Sequence, residues 1–558
     1  MRLAMGAPRL KVVRIASSLS YVIITTAILL YPFRIFSGFS QLDGLQVVIN
    51  PSLFAFLMAA WVFSYVVCLS YTPAGRSAWV AALIASMAIG FSILAYKMAP
   101  LGVDHSYSLT LTDTTYLAQQ HRFGVPPPPN VGYLGYPGIA LLFSATTMIV
   151  GASDVSLMFV VQASFYVATA LALYKVTELV RVRPAIAGLV VPLFFTASLE
   201  GGNFLLFFPA EFGVVLFALM VMVLVLQPTD SRWLLTLYIL GIASTFTHFY
   251  DPVDFLALGT FLLLFVPAWR QSRRFLFFIF AFATIYASYF GFFAVDYFSS
   301  VVRGSIQTLS NLLNSGGTSY ALQVINTNSV GIPFWAVVTR YVDIGLTSII
   351  GLVVGFAYFV RRLVGKHSSH PDLITTYFIA SVGVMAFGIV AFLASLGPGG
   401  GFNLLIGPQY VVFFSLPLML YFGSRKSVMS VALVILVVVL ISPSLYALQY
   451  HQVSTIAVTG YEISGAKYFT TFEGPNAPVA ADGKMAGVIG SIMPLTNFQY
   501  YQIPLEAYSY APAVYAIIDT SYSNYQQHLY GTSINYSVIY HHDVVFDNGR
   551  VYIMPPAI

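Results

Sequence analysis

The stretch SAWVAALIASMAIGFSILAYKM, residues 77–98, decides the fold because its 22 residues carry a single charge, Lys97, close to the end. About 20 consecutive apolar residues are enough for an α-helix to cross the hydrocarbon core of a bilayer. Runs of this length recur along the chain, whereas the short alternating segments of a transmembrane β-barrel do not. Because lipid offers the backbone no hydrogen bonds, these runs predict membrane-spanning helices.

The composition of the 558-residue chain supports the same conclusion. Hydrophobic residues make up 58% and charged residues 8%, and the mean hydropathy is +0.81. Soluble domains carry roughly 25% charged residues, so a water-soluble globule of this size could not cover its surface. The single cysteine, Cys68, excludes an intrachain disulfide framework and cysteine-based metal sites.

We therefore predict an all-α polytopic membrane bundle of about 13 transmembrane helices. The first apolar run follows a basic stretch but has no convincing cleavage site, which favours a retained helix over a signal peptide. The segment 137–151 is apolar but short, and we interpret it as a re-entrant or interfacial piece. The predicted spans are 15–34, 52–72, 77–98, 154–178, 185–199, 205–226, 233–248, 253–268, 275–297, 336–360, 373–395, 404–422 and 427–448.

The positions of the basic residues predict the orientation of this bundle. With a cytoplasmic N-terminus, 17 of the 25 Lys and Arg residues fall in the N-terminal stretch, in six inner loops or at adjoining helix ends, and five fall outside. Such an excess of basic residues is typical of cytoplasmic loops. The polar segment 101–136 then lies on the extracytoplasmic side, as do the corner THFYDPVD and everything after about residue 449.

The composition changes near residue 449, where long apolar runs stop and Tyr, Ser, Asn, Pro and Gly become frequent. We predict a transmembrane domain at 1–448 and a small α/β extracytoplasmic domain at 449–558. The segments PVAADGKMAGVIGSIM and APAVYAIIDTSY are typical of short strands or helices bounded by turns. VVFDNGRVYIM predicts a β-hairpin that turns at Asp547-Asn548-Gly549.

Three acidic or imidazole side chains near the outer face are candidates for chemistry. Asp104 and His105 follow the third predicted helix, where a carboxylate could deprotonate an acceptor hydroxyl and an imidazole could position a phosphate or a sugar. The alternative is that Asp104 caps a short helix or that both side chains are simply solvated. Glu211 lies within or at the edge of an apolar span, where an ionisable group indicates a functional site or a buried pair.

The corner THFYDPVD places His248, Asp251 and Asp254 three residues apart. Pro252 suits the first turn of the following helix, so the favoured interpretation of Asp251 is an N-cap. The role of His248 is more open. One His with two carboxylates is a conceivable metal site, but the spacing alone does not support one, and we predict no cofactor.

Arginines on the outer side suit a lipid-linked phosphate because their fork of donors matches phosphate oxygens. Arg303 and Arg340 hold such positions, although both could instead snorkel to the membrane interface. The glycine-rich turn GPGGGF at 397–402 could admit an anion to its backbone amides, but a flexible turn is the favoured interpretation.

Several short motifs together resemble the GT-C superfamily of integral membrane glycosyltransferases, including its dolichyl-phosphate mannosyltransferase-like and aminoarabinose-transferase-like members. The matching residues are Asp104-His105, the segment Tyr133-Leu-Gly-Tyr136-Pro137-Gly138, and Gly151-Ala-Ser153 before the next span. The corner THFYDP resembles a later outer His-Pro corner of the family, and FDNGRVYIM resembles the end of many members. The Trp-Trp-Asp motif of the oligosaccharyltransferases is absent, which disfavours that branch.

The resemblance implies an inverting transfer of a sugar from a polyprenyl- or dolichyl-phosphate donor to a glycan, lipid or protein acceptor on the extracytoplasmic side. Asp104 would be the general base, with His105 beside it. Asn403 and Gln409 stand where relatives often carry an arginine. The predicted substrate-binding residues are Tyr136, Glu211, His248, Asp251, Arg303, Arg340, Asn403 and Gln409.

Two other function classes fit a polytopic membrane protein. A transporter or flippase for lipid-linked glycans would need polar residues through the bilayer depth on several helices, whereas here they gather on one face. A catalytically inactive membrane scaffold of the same fold would bind partners through its outer domain. The expected partners are the lipid-linked donor, an acceptor and membrane lipids, and nothing indicates nucleic acid.

Overall fold

The computed structural model describes the protein in segments that cover most of the N-terminal half and parts of the C-terminal half. Single positions are also described at 350, 353, 356, 357, 360, 485, 488 and 489. The described segments are 7–30, 51–71, 77–98, 137–151, 155–180, 182–200, 209–226, 231–248, 250–294, 375–384, 403–424, 460–472, 479–481, 500–501, 515–519, 544–548 and 551–555.

The described part of the chain is mainly helical, with a small sheet near the C-terminus. A further helical stretch runs over Thr375–Val384. The strands are β1 (Val479–Ala481), β2 (Tyr500–Tyr501), β3 (Tyr515–Asp519), β4 (Phe546–Asp547) and β5 (Val551–Met554). The helices are α1 (Ala7–Leu30), α2 (Pro51–Ser70), α3 (Ser77–Met98), α4 (Gly138–Val150), α5 (Val155–Leu179), α6 (Pro184–Ala187), α7 (Val190–Glu200), α8 (Pro209–Leu226), α9 (Ser231–Thr247), α10 (Tyr250–Phe265), α11 (Pro267–Arg270), α12 (Arg273–Phe292), α13 (Asn403–Gly423) and α14 (Gly460–Phe472).

The bundle is built around α5, which packs against α3 and α8. Helix α8 in turn contacts α9 and α10, and α12 lies against α9. Aromatic side chains fill much of this core: the rings of Tyr166 and Phe195 stack with their centroids 4.8 Å apart, and Trp61 lies 5.2 Å from Phe91. Such offset and tilted ring pairs add to the stabilisation that burial of their apolar area provides.

Four helices in the described part of the chain are long and apolar enough to cross a membrane: Val12–Leu30, Ser77–Leu94, Phe159–Leu179 and Arg273–Phe292. Helix α12 also leaves large aromatic side chains uncovered, with Phe277 71% and Phe280 66% exposed. Lipid is the medium that suits such a surface. The total of 13 spans remains a prediction, since 427–448 and most of 336–360 lie outside the described residues.

The predicted spans 52–72, 77–98 and 154–178 match α2, α3 and α5 to within two residues at each end, whereas α1 begins at Ala7, well before the predicted span 15–34. The predicted span 185–199 differs because the chain breaks between α6 and α7. Pro192 has no N–H to give to the carbonyl of Gly188, four residues earlier. That carbonyl accepts from the backbone N–H of Val191 and from the hydroxyl of Tyr65, each at 3.2 Å, and the Tyr65 bond ties α2 to the break.

The two ends of α9 and α10 differ in chemistry. Arg232 stands at the start of α9, and Arg270 follows the end of α10. His248 and Asp251 lie at the opposite ends of the same two helices. At 1.5 Å per residue, the 17 residues of α9 separate these ends by roughly 25 Å. Basic and acidic groups therefore lie at opposite ends of this part of the bundle.

The C-terminal segments form a five-stranded mixed sheet in the order β2-β1-β3-β5-β4. Strand β1 runs parallel to β2 and β3, while β5 runs antiparallel to β3 and β4. The predicted hairpin is confirmed, since Phe546 pairs with Ile553 and Asp547 with Tyr552. Helix α14 covers the sheet through Ala466 and Phe469. The boundary at residue 449 lies outside the described residues.

Candidate functional site

A buried His–Asp pair lies where the chain turns from α9 into α10. Nδ1 of His248 is 2.8 Å from Oδ2 of Asp251, and the side chains are 8% and 0% exposed. An ionised carboxylate can only accept hydrogen bonds, so the imidazole N–H donates. Asp251 lies inside the first turn of α10, which begins at Tyr250, and not at its N-cap. The capping interpretation is therefore wrong, because the helix starts one residue earlier and the carboxylate is engaged by the imidazole.

Asp254 lies three residues further along α10, on the same side of the helix as Asp251. It is 3% exposed. A buried carboxyl group is costly in its ionised form unless it is paired. No group of three or more His, Cys, Asp or Glu side chains in the described segments could hold a metal ion.

Helix α8 packs against the carboxyl group of Asp251 at a glycine, Gly213. A Cβ added to Gly213 would collide with the carboxyl group of Asp251, meeting Cγ at 2.6 Å and Oδ1 at 2.9 Å. Only a residue without a side chain lets the backbone of α8 approach this carboxylate so closely. Glu211 lies two residues earlier, in the first turn of α8. We call His248, Asp251, Asp254 and Gly213 the acid corner.

Helix α4 meets the same end of the bundle through a second glycine. A Cβ on Gly138 would lie 3.0 Å from the carbonyl oxygen of Phe246 and from Cα of Thr247. The Pro137-Gly138 segment, part of the motif that resembles the GT-C family, therefore packs against Phe246 and Thr247, which directly precede His248 in the chain. At the other end of α4, Gly151 adopts a φ of +69°, a left-handed conformation that suits glycine after a helix.

The structure thus brings together residues of two regions that the sequence singled out separately, Gly138 of the Tyr-Pro-Gly motif and Thr247 of the THFYDPVD corner. Glu211 is placed near them by its helix. Asn403 and Gln409 lie in the first two turns of α13, and the structure describes them only as helical positions. The remaining predicted site residues, Asp104, His105, Tyr136, Arg303 and Arg340, lie outside the described residues.

The arrangement of the acid corner suits the binding of a polar ligand at the membrane boundary. A carboxylate that accepts from Nδ1 fixes the tautomer and the orientation of the imidazole. The ring is then held in one orientation for contact with a polar group of a ligand. A polar cluster of this kind at membrane depth indicates a functional site more often than a structural one.

Sequence reasoning missed Gly213, and it did not predict that Gly138 packs against Thr247. Their importance arises from contacts between segments more than 30 residues apart, which no local pattern reports. The one available signal was that Gly213 follows Glu211 within an apolar helix, where a glycine lowers helix stability unless a close approach requires it.

Comparison with known proteins gives structural likenesses only. No protein-family model and no curated protein matches the chain. Among solved structures, ArnT from Cupriavidus metallidurans bound to undecaprenyl phosphate is 10% identical, with a TM-score of 0.45 over 86% of this chain and 98% of that one. The Archaeoglobus fulgidus oligosaccharyltransferase with a tethered acceptor peptide is 13% identical, with a TM-score of 0.46 over 87% and 74%. The mycobacterial arabinofuranosyltransferase AftD is 12% identical, with a TM-score of 0.45 over 87% of this chain and 42% of that one. Likenesses at this level assign neither an activity nor a substrate to this chain.

Proposed function

We propose that the protein is a membrane glycosyltransferase of the GT-C type. It transfers a sugar from a polyprenyl- or dolichyl-phosphate donor to a glycan, lipid or protein acceptor on the extracytoplasmic side. The observation that carries the proposal is the acid corner, which is buried at the end of the bundle away from the basic residues. The packing of Gly138 against Thr247, next to His248, supports a single site formed by the motifs that resemble the family.

In this proposal Asp104 is the general base. Its carboxylate accepts the proton of the acceptor hydroxyl as the oxygen attacks the anomeric carbon, and the bond from that carbon to the lipid phosphate breaks with inversion. The phosphate leaves as an anion and needs no strong acid. A positioned carboxylate of this kind contributes roughly 10²–10⁴-fold to the rate. His105 acts beside it by positioning the reacting groups.

The proposed role of His248 is to bind the donor phosphate, with Asp251 holding its ring in place. The 2.8 Å contact supports this role because it orients the imidazole before any ligand arrives. Arg303 and Arg340 would supply further phosphate contacts on the same face. Tyr136, Glu211, Asn403 and Gln409 complete the proposed substrate-binding set.

The test is Asp104→Asn in the purified full-length protein, with Glu178→Gln as a control because Glu178 lies on an exposed helix surface and pairs with Lys175. Sugar transfer from polyprenyl-phosphate donors, lipid binding and thermal unfolding would be measured together. An enzyme loses turnover by roughly 10²-fold or more while it keeps its fold and its lipid binding.

The same experiment separates the alternatives. A flippase would move the lipid-linked sugar across vesicles and show no transfer in either form. A scaffold would be indifferent to the substitution. Unchanged transfer by Asp104→Asn would remove the proposed base.

A further inference from the structure

The structure contains an apolar cavity of about 210 Å³, whose lining on α10 begins at Leu258, four residues after Asp254 of the acid corner. Its walls come from α8, α10, α11, the stretch Thr375–Val384 and α13. The residues that define it are Val225, Leu258, Leu262, Trp269, Ala380 and Phe414. An engineered protein cavity of roughly 150 Å³ with a similar lining stays dry and takes up apolar molecules. A larger cavity of this type therefore has room for part of a hydrocarbon chain.

The polar atoms of the lining do not make the cavity a water site. Seven of its ten lining side chains carry no polar atom; of the other three, Tyr377 donates its hydroxyl to the carbonyl of Phe413 at 3.4 Å, and Thr376 and Trp269 are the remaining two. A buried water needs two to four polar partners. The cavity is also partly open, and hydrocarbon is the medium around a bundle in a membrane. Its occupant is accordingly a lipid chain.

The depth of the cavity indicates the leaflet that supplies this chain. Leu262 stands eleven residues after Asp251 on α10, which places it roughly 16 Å further toward the basic end. Val225 is close to the C-terminal end of α8, on that same side. Trp269 lies beyond the end of α10, in α11, where a tryptophan at the membrane boundary is common. The cavity therefore belongs to the leaflet on the basic side of the bundle.

The charges beside the cavity indicate the headgroup. Arg270 follows Trp269 directly, and Arg273 and Arg274 begin α12 three residues later. All three side chains are exposed, and none forms an ion pair with an acidic side chain in the described segments. Exposed basic clusters next to a membrane attract anionic lipids. Here the cluster adjoins a residue of the cavity wall, whose ring packs 4.4 Å from Phe275 of α12.

We propose that this region is a binding site for an anionic glycerophospholipid of the basic-side leaflet. One acyl chain occupies the cavity, and the phosphate headgroup contacts Arg270, Arg273 and Arg274. The site is separate from the proposed sugar transfer and does not depend on it. It joins the ends of α8, α10, α12 and α13 through one ligand.

The experiment measures lipid retained by the purified full-length protein in native mass spectrometry. Phosphatidylglycerol and phosphatidylcholine with identical acyl chains are offered at equal concentration. We expect the wild-type protein to retain roughly ten times as much phosphatidylglycerol as phosphatidylcholine. The triple variant R270Q/R273Q/R274Q should lose this preference. Arg183→Gln, which removes an exposed charge in front of α6, should keep it.

A second variant tests the cavity itself. Ala380→Phe fills the space from one wall and should reduce retention of both lipids, with the thermal unfolding temperature as a check on folding. Quenching of Trp269 fluorescence by phosphatidylglycerol brominated in its acyl chains gives a reading that does not depend on stability. We expect the brominated phosphatidylglycerol to quench more than brominated phosphatidylcholine, and the difference to vanish in Trp269→Phe.

The proposal is overturned by equal retention of the two phospholipids in wild type or by a preference that survives the triple variant. It is also overturned if a polyprenyl phosphate displaces phosphatidylglycerol with the same affinity in wild type and triple variant. The cavity would then hold the tail of a donor and not that of a phospholipid.

Discussion

Oδ2 of Asp251 accepts a hydrogen bond from Nδ1 of His248 at 2.8 Å, and neither side chain is open to solvent. The protein contains a second pair with the same spacing and the same distance, Lys175 with Glu178, but those side chains are 44% and 40% exposed. The two pairs therefore have the same spacing and the same contact distance, but one is buried and the other is exposed.

Replacing Asp251 by Ala should lower the free energy of unfolding by about 1–3 kcal/mol, because the buried imidazole loses its acceptor. Glu178→Gln should cost less than about 1 kcal/mol, since an exposed pair is weakened by solvent. Unfolding in mixed micelles measures both values. If the two substitutions lowered the free energy of unfolding equally, the buried pair would contribute no more to stability than the exposed pair.

The close contact of Gly213 with Asp251 predicts a steric effect at α8. Gly213→Ala should destabilise the protein by about 1–3 kcal/mol, because the added methyl group collides with the carboxyl group. Thermal unfolding is the measurement. The matched control is Gly291→Ala in α12, where an added Cβ meets nothing within 4 Å. That change should be neutral or should stabilise the helix by up to about 1 kcal/mol.

The double variant Gly213→Ala/Asp251→Ala separates the collision from other effects. If the methyl group acts through the carboxyl group, the cost of Gly213→Ala should nearly disappear once Asp251 is shortened. Additive costs would place the strain elsewhere in α8.

Much of the transmembrane part could be predicted from the sequence because each spanning helix is specified by its own apolar run. Residues 77–98 and the turn at Asn548 are examples in which local chemistry was sufficient. The break at Gly188 also had a local cause, the missing N–H of Pro192, although the partner Tyr65 comes from another helix. The acid corner was only partly predictable. His248, Asp251 and Asp254 are close in sequence, whereas Gly213 and Gly138 join them through tertiary contacts.

Asn548 connects the C-terminal hairpin to α14. Its Nδ2 donates to the carbonyl of Tyr461 and to Oγ of Ser464, each at 2.9 Å, and its Oδ1 accepts from the backbone N–H of Val551 at 2.8 Å. Asn548→Ala should destabilise the sheet by about 2–3 kcal/mol, at about 1 kcal/mol for each lost hydrogen bond. Amide hydrogen exchange of β3 and β5 would show the loss.

Thr470→Ala is the control for that variant. Its hydroxyl donates only to the carbonyl of Lys467 on an exposed part of the same helix. Exchange in β3 and β5 should be unchanged. If Asn548→Ala left these strands equally protected, the side chain would not hold the hairpin to the helix.

The predicted orientation can be tested with single cysteines. The native Cys68 is buried and can be replaced by Ser. In that background, Asp104→Cys should react with a membrane-impermeant maleimide added from outside to intact cells. Arg270→Cys should react only after permeabilisation, because basic loops face the cytoplasm. The reverse pattern would place Asp104 away from the extracytoplasmic face and remove the proposed acceptor side.

The most direct test of the proposed function is mass spectrometry of cell-envelope glycans, glycolipids and glycoproteins from cells with and without the protein. Cells that carry only the Asp104→Asn form complete the comparison. We predict that one sugar residue is missing from a defined acceptor in both the deleted and the Asp104→Asn cells, and that wild-type protein restores it. Identical glycan profiles in all three strains would contradict a glycosyltransferase.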